Sequence, residues 1–149
     1  MRKIYPVLVV VLLIVMACSR DRKNAYSDSE KIYKEAIKMH DEVMPMMGSI
    51  MDLQAKLKSL KKESDNTGLK DTINIYLLRL ENTHKSMMNW MHNLTPIPNP
   101  DEAANDPTQL PTREEMLKIQ EQSLNDIKRI QQETLESINQ TKKFLTNHQ

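Results

Sequence analysis

One periodicity constrains this chain more than any other feature. From Ile32 to Leu60 an apolar residue stands at every position of a four-three repeat: Ile32, Ala36, Met39, Val43, Met46, Ile50, Leu53, Leu57 and Leu60. An α-helix turns once in 3.6 residues, so alternating steps of four and three hold these side chains on one side of one helix. A strand would scatter them over both faces. The far face carries Lys34, Lys38, Glu42, Lys56 and Lys58. His40, Met44, Met47 and Met51 flank the stripe and widen it, as a helix with two neighbours requires. Ser27 with Glu30 three residues on reads as a capping box that starts the helix.

Pro45 falls inside this repeat, and Gly48 follows it. Proline removes one intrahelical hydrogen bond and clashes with the preceding turn, at a cost of about 3 kcal/mol in a regular helix interior. The apolar period passes through both residues in phase, so the reading is one kinked helix rather than two. Sites that break local rules are enriched in function.

The polar run Glu63 to Gly68 reads as a turn. A second four-three stripe follows it: Leu69, Ile73, Tyr76, Leu80, Thr83, Met87, Trp90 and Leu94, with Leu77, His84 and Met91 beside it. Five of the seven prolines then fall between residues 95 and 112, which marks a linker that cannot be helical throughout. Thr112 and Glu115 form another capping box. The helix they open has a weaker seam of Leu117, Leu124, Ile127, Leu135, Ile138 and Leu145, interrupted by Gln120, Gln131, Thr134 and Thr141. Such a polar-studded seam packs less firmly, and suggests a mobile helix or one that forms an interface. With 4% aromatic residues and two glycines the composition also favours helices over sheet. The expected fold is all-α: an antiparallel helical hairpin plus a third helix, a three-helix bundle over residues 27–149. Its helices are expected at about 28–63, 68–93 and 112–146, with the linker at 94–111.

The first residues carry a different signal. Arg2 and Lys3 precede ten consecutive apolar residues, Val7 to Met16, and the run ends in Ala17-Cys18-Ser19. Ten residues fall short of the roughly 20 needed to span a bilayer, and suit the apolar region of a secretory signal. The pattern around Cys18 resembles the lipobox of bacterial lipoproteins. That resemblance implies a signal peptide at 1–17, a lipidated Cys18 and a short polar tether at 18–26. Each buried acyl CH₂ contributes roughly 0.8 kcal/mol, so two or three chains would anchor the protein to the lipid bilayer. Ser19 after the cysteine resembles the outer-membrane sorting pattern, which places the protein in the cell envelope, on the outer membrane facing the periplasm.

Two short motifs carry most of the functional signal. His40, Met44 and Met47 form His-x3-Met-x2-Met, and His84, Met88 and Met91 repeat it. Eight of the eleven methionines and three of the four histidines lie in the windows 39–51 and 84–92. If the hairpin turns near Asn66, Met44 faces Met88, His40 lies near Met91 and His92, and Met47 and Gly48 lie near His84. Thioether sulfur and imidazole together suit Cu(I), and Trp90 at the same level would cap such an ion by a cation–π contact. Haem held by one His and one Met is a further option, and the absence of Cys-x-x-Cys-His excludes covalent haem. Against these stands a plain role in packing: methionine fills irregular gaps and serves adaptable protein-binding grooves.

The segments His40 to Gly48 and Met87 to Met91 resemble a group of secreted proteins and lipoproteins from Bacteroidetes, many of them labelled "viral A-type inclusion protein". The resemblance covers residues 30–95 best. It implies a helical extracytoplasmic protein and assigns no functional residues. No phosphate loop, His-Glu-x-x-His or Gly-x-Ser-x-Gly motif is present, so no catalytic residue and no enzyme activity is expected. The formal charge of +1, spread along the helices, argues against nucleic acid as a partner. The expected function is a membrane-anchored, non-enzymatic bundle without cofactor, which binds another envelope protein or a second copy of itself. The alternative is a Cu(I)-binding or copper-buffering lipoprotein.

Overall fold

A computed structural model describes residues 26–99 and 110–148; the signal-peptide and Cys18 lipidation readings lie outside the described residues, as do the tether before Tyr26 and the middle of the linker. Three helices make up the fold: α1 (Ser27–Glu63), α2 (Thr67–Asn93) and α3 (Arg113–Thr146). No strand occurs among the described residues. The all-α three-helix bundle is the observed fold, and the expected helix limits differ from the observed ones by one residue at each start.

Helix α1 crosses Pro45 and Gly48 as a single helix. All nine residues of its stripe lie in the core or pack against it, with Ala36, Val43, Ile50 and Leu57 fully enclosed. The helix start differs from the sequence reading. Tyr26 is the N-cap and no side chain caps it. Ser27 is already helical, Glu30 accepts from Lys34 Nζ at 2.7 Å, and so the Ser27–Glu30 capping box does not form. Tertiary contacts hold this end instead. Tyr26 Oη donates to the Pro111 carbonyl at 2.5 Å, and Arg113 pairs with Asp28 at 2.7 Å.

The turn after α1 is short because Asn66 caps the next helix, its Oδ1 accepting from Leu69 N at 3.1 Å. The capping box of α3 forms as the sequence predicts. Thr112 Oγ1 accepts from Glu115 N at 3.2 Å, and Thr112 N donates to Glu115 Oε2 at 2.8 Å. These bonds hold the Glu115 carboxyl below its ordinary pKa, the backbone N–H of Thr112 contributing most.

Contacts between the helices give their directions. Along α2 and α3 the partners run in opposite order, Thr83 with Ser137 and Trp90 with Ser123. Along α1 and α3 they run in the same order, Asp28 with Arg113, Glu35 with Lys128 and Glu42 with Gln131. The bundle is therefore up-down-up. The ends of α2 and the starts of α1 and α3 share one pole.

Helix α3 is the most enclosed element. It buries eleven residues, against seven for α1 and five for α2, and it packs on both other helices. The weak seam expected for it is corrected in detail. Leu117 is only partly buried and Leu135 is 43% exposed, while Met116, Ile130, Ser137 and Phe144 point inward. Polar residues occupy true core positions; several are held by hydrogen bonds, while Thr141 Oγ1 and Gln120 Oε1 are enclosed without a partner among the described residues. Thr83 Oγ1 donates to the Arg79 carbonyl at 3.0 Å and so receives the hydrogen of Ser137 Oγ at 3.3 Å. Thr134 Oγ1 donates to the Ile130 carbonyl at 2.7 Å, and Gln120 Nε2 to the Thr95 carbonyl at 2.8 Å. The last bond fastens the start of the linker to α3.

Candidate functional site

Helix α3 fills one side of the hairpin, and the opposite side of α1 and α2 is an outer face with a shallow groove over part of its length. The same repeat that builds the core also builds this outer face, shifted by one position around each helix. On α1 it runs His40, Met44, Met51 and Lys58; on α2 it runs Leu77, Glu81, His84, Met88 and Met91. The far half of the groove is lined by Met51, Gln54, Lys58, Leu77, Glu81 and His84. Glu81 is paired with Lys85 at 2.6 Å, and that ammonium group holds its carboxyl below the ordinary range.

The two histidine–methionine motifs are spread over four environments. His40 and Met91 touch, with Nε2 3.2 Å from Sδ. Met44 and Met88 stand on the surface, 38% and 50% exposed. Met47 is turned into the core at 7% exposure, beside Val43 and Ile50, where it fills space as any apolar side chain would. His84 lies further along the groove with Met51 and Leu77. The expected level of His40 with Met91 is therefore what the hairpin produces. Met47 does not share the outer face of the other five residues.

Trp90 joins the His40–Met91 pair. Its indole ring stacks on the His40 imidazole with centroids 5.6 Å apart and planes 22° apart. Its Nε1 donates to the Ser123 carbonyl on α3 at 2.9 Å, which fixes the ring in place. His40 is anchored on its other side, where Nδ1 lies 3.0 Å from Asp41 Oδ1. The sequence reading missed Asp41 as a partner, because neighbours in a helix seldom face each other. Met51, which flanks the stripe but belongs to neither motif, lines the groove beside His84. His40 and Met91 are in contact, so they do not stand on opposite sides of a gap that a haem would enter.

Among the described residues, no group of three or more His, Cys, Asp or Glu side chains is assembled. None of the described helices is long and apolar enough to cross a membrane. Comparison with protein-family models, curated proteins and solved structures gives no match to this chain.

Proposed function

We propose that this chain is a membrane-anchored extracytoplasmic lipoprotein whose helical bundle binds another envelope protein and performs no catalysis. The observation that carries the reading is the apolar outer face of the hairpin. Met51 is 62% exposed and Met88 50% exposed, on a molecule whose own third helix occupies the other side. Water-exposed methionines gain by being covered, and their flexible thioethers adapt to the shape of a partner. The rim of this face is charged, with Lys58 and Glu81 on either side, which suits a reversible protein contact. The Bacteroidetes resemblance and the lipobox at Cys18 supply the envelope setting.

Two measurements test this reading. Cys18→Ser should release the chain from membranes; a protein that stays bound would refute the lipid anchor. A photocrosslinking residue at Met51 should give a discrete adduct in intact cells, and the same residue at exposed Lys34 should not. Identical crosslinking patterns at the two positions would remove the groove as a docking face.

A further inference from the structure

We infer that His40 and Met91 are the core of a binding site for a soft monovalent cation, Cu(I), held without change of oxidation state. Nδ1 of His40 lies 3.0 Å from a carboxylate oxygen of Asp41, and Nε2 lies 3.2 Å from the thioether of Met91. A neutral ring carries one proton, and the carboxylate is much the stronger acceptor. In a neutral ring that contact favours the proton on Nδ1, which leaves the lone pair of Nε2 facing a lone pair of sulfur. Two neutral donors facing each other gain nothing from the contact, whereas a cation beside the pair, with the flexible thioether drawn back, would bond both. A ligating histidine whose second nitrogen donates to a carboxylate is the usual supporting arrangement at protein metal sites.

The donor chemistry selects the ion. Thioether and neutral imidazole are soft to borderline ligands, suited to Cu(I) rather than to Mg²⁺ or Ca²⁺. Further thioethers stand within one helical turn on the same face, Met44 after His40 and Met88 before Met91, both at the surface. Methionine has three rotatable bonds, so either can swing in as a third ligand. The site is reachable, since the His40 side chain is 20% exposed. Trp90 forms its inner wall, an aromatic face that α3 holds by the bond from Nε1 to the Ser123 carbonyl. Rings of this kind attract a cation lying within about 6 Å of the centroid. The proposal does not depend on a docking partner.

The chain contains one tryptophan, which makes its fluorescence a local reporter. The full chain, purified from membranes in detergent, is titrated with Cu(I) against bicinchoninate. The same chain carrying Cys18→Ser is run beside it, so that a free thiol cannot supply the signal. We expect both to retain a single Cu(I) and to lose Trp90 emission as it binds. Met91→Leu preserves side-chain volume and should weaken binding by roughly tenfold or more, with the quenching lost. Met51→Leu, a thioether further along the same groove, should leave both unchanged. X-ray absorption of the Cu(I)-loaded natural sequence should show nitrogen and sulfur together, a readout that needs no variant to fold. Failure to compete with the chelator, equal losses in the two Leu variants, or nitrogen-only coordination would each overturn the assignment.

Discussion

The inner face of α3 and the outer face of the hairpin invert the ordinary rule of burial. Inside, Gln120, Thr134, Ser137 and Thr141 are almost wholly enclosed. Outside, Met44, Met51 and Met88 meet water. Both faces follow the same four-three repeat, so helix geometry does not distinguish them. The difference lies in what each face has to do. A placed polar pair such as Thr83 and Ser137 favours one alignment of the helices over slipped ones, whereas the Thr141 hydroxyl is enclosed without such a partner. An apolar group on the surface adds nothing to the isolated fold and acquires a purpose through what later covers or binds it.

The contrast can be broken in a graded way. The largest effect is expected at Leu80, which is fully enclosed. Leu80→Ala should cost about 2–5 kcal/mol in chemical denaturation, the range for buried leucine truncations. The next largest is at the polar pair. Thr83→Val should cost about 1–3 kcal/mol, because it leaves the Ser137 hydroxyl buried without its acceptor. Adding Ser137→Ala should recover much of that loss, and a purely additive double variant would show that the pair does not act as one. On the outer face the sign reverses. A side chain added at Gly48 meets nothing within 4 Å, so Gly48→Ala should raise stability by about 0.5–1 kcal/mol through helix propensity alone. Met51→Gln, at a side chain 62% exposed, should move stability in chemical denaturation by less than about 0.5 kcal/mol.

The smallest expected effect is one of pH. Glu115 has a lowered pKa in the folded chain, so its contribution is present above the unfolded value and is lost as pH falls through the folded one. Glu115→Gln should therefore narrow the difference in melting temperature between neutral and acidic solution. An unchanged difference would mean that the capping box of α3 has no electrostatic part.

The hairpin was legible in the sequence because its stripes are made of apolar residues in strict period. Ile32 to Leu60 on α1 and Leu69 to Leu94 on α2 all lie where the repeat puts them. The seam of α3 was less legible, since a search for leucine and isoleucine selects Leu117 and Leu135 and passes over the Ser137 and Thr134 that do the packing. Phase also slips there: Leu117 and Gln131 are in step with the seam yet only partly buried, while Met116 and Ile130, one position earlier, are enclosed. Local pattern falls short at the start of α1 too. Ser27 and Glu30 satisfy the capping pattern, yet contacts from Pro111 and Arg113, 85 residues away, decide how that end is held. Within the site, the level of His40 with Met91 followed from the turn position. Met47 stands one heptad from His40, on nearly the same side of α1, so its burial at 7% exposure comes from what packs over it at its own level, which spacing does not reveal.

The unbroken passage of α1 through Pro45 makes that helix a ruler. At about 1.5 Å per residue, His40 stands roughly 20 Å along the axis from Ser27, and Met51 roughly 36 Å. The pole that holds Tyr26 is also where the chain would join an anchor at Cys18. Measured upward from a lipid surface, the histidine–tryptophan cluster would then lie at a lower storey and the exposed methionine groove at an upper one. The ion and the groove around Met51 would then stand at different heights above the same membrane, with Met88 at the junction between them.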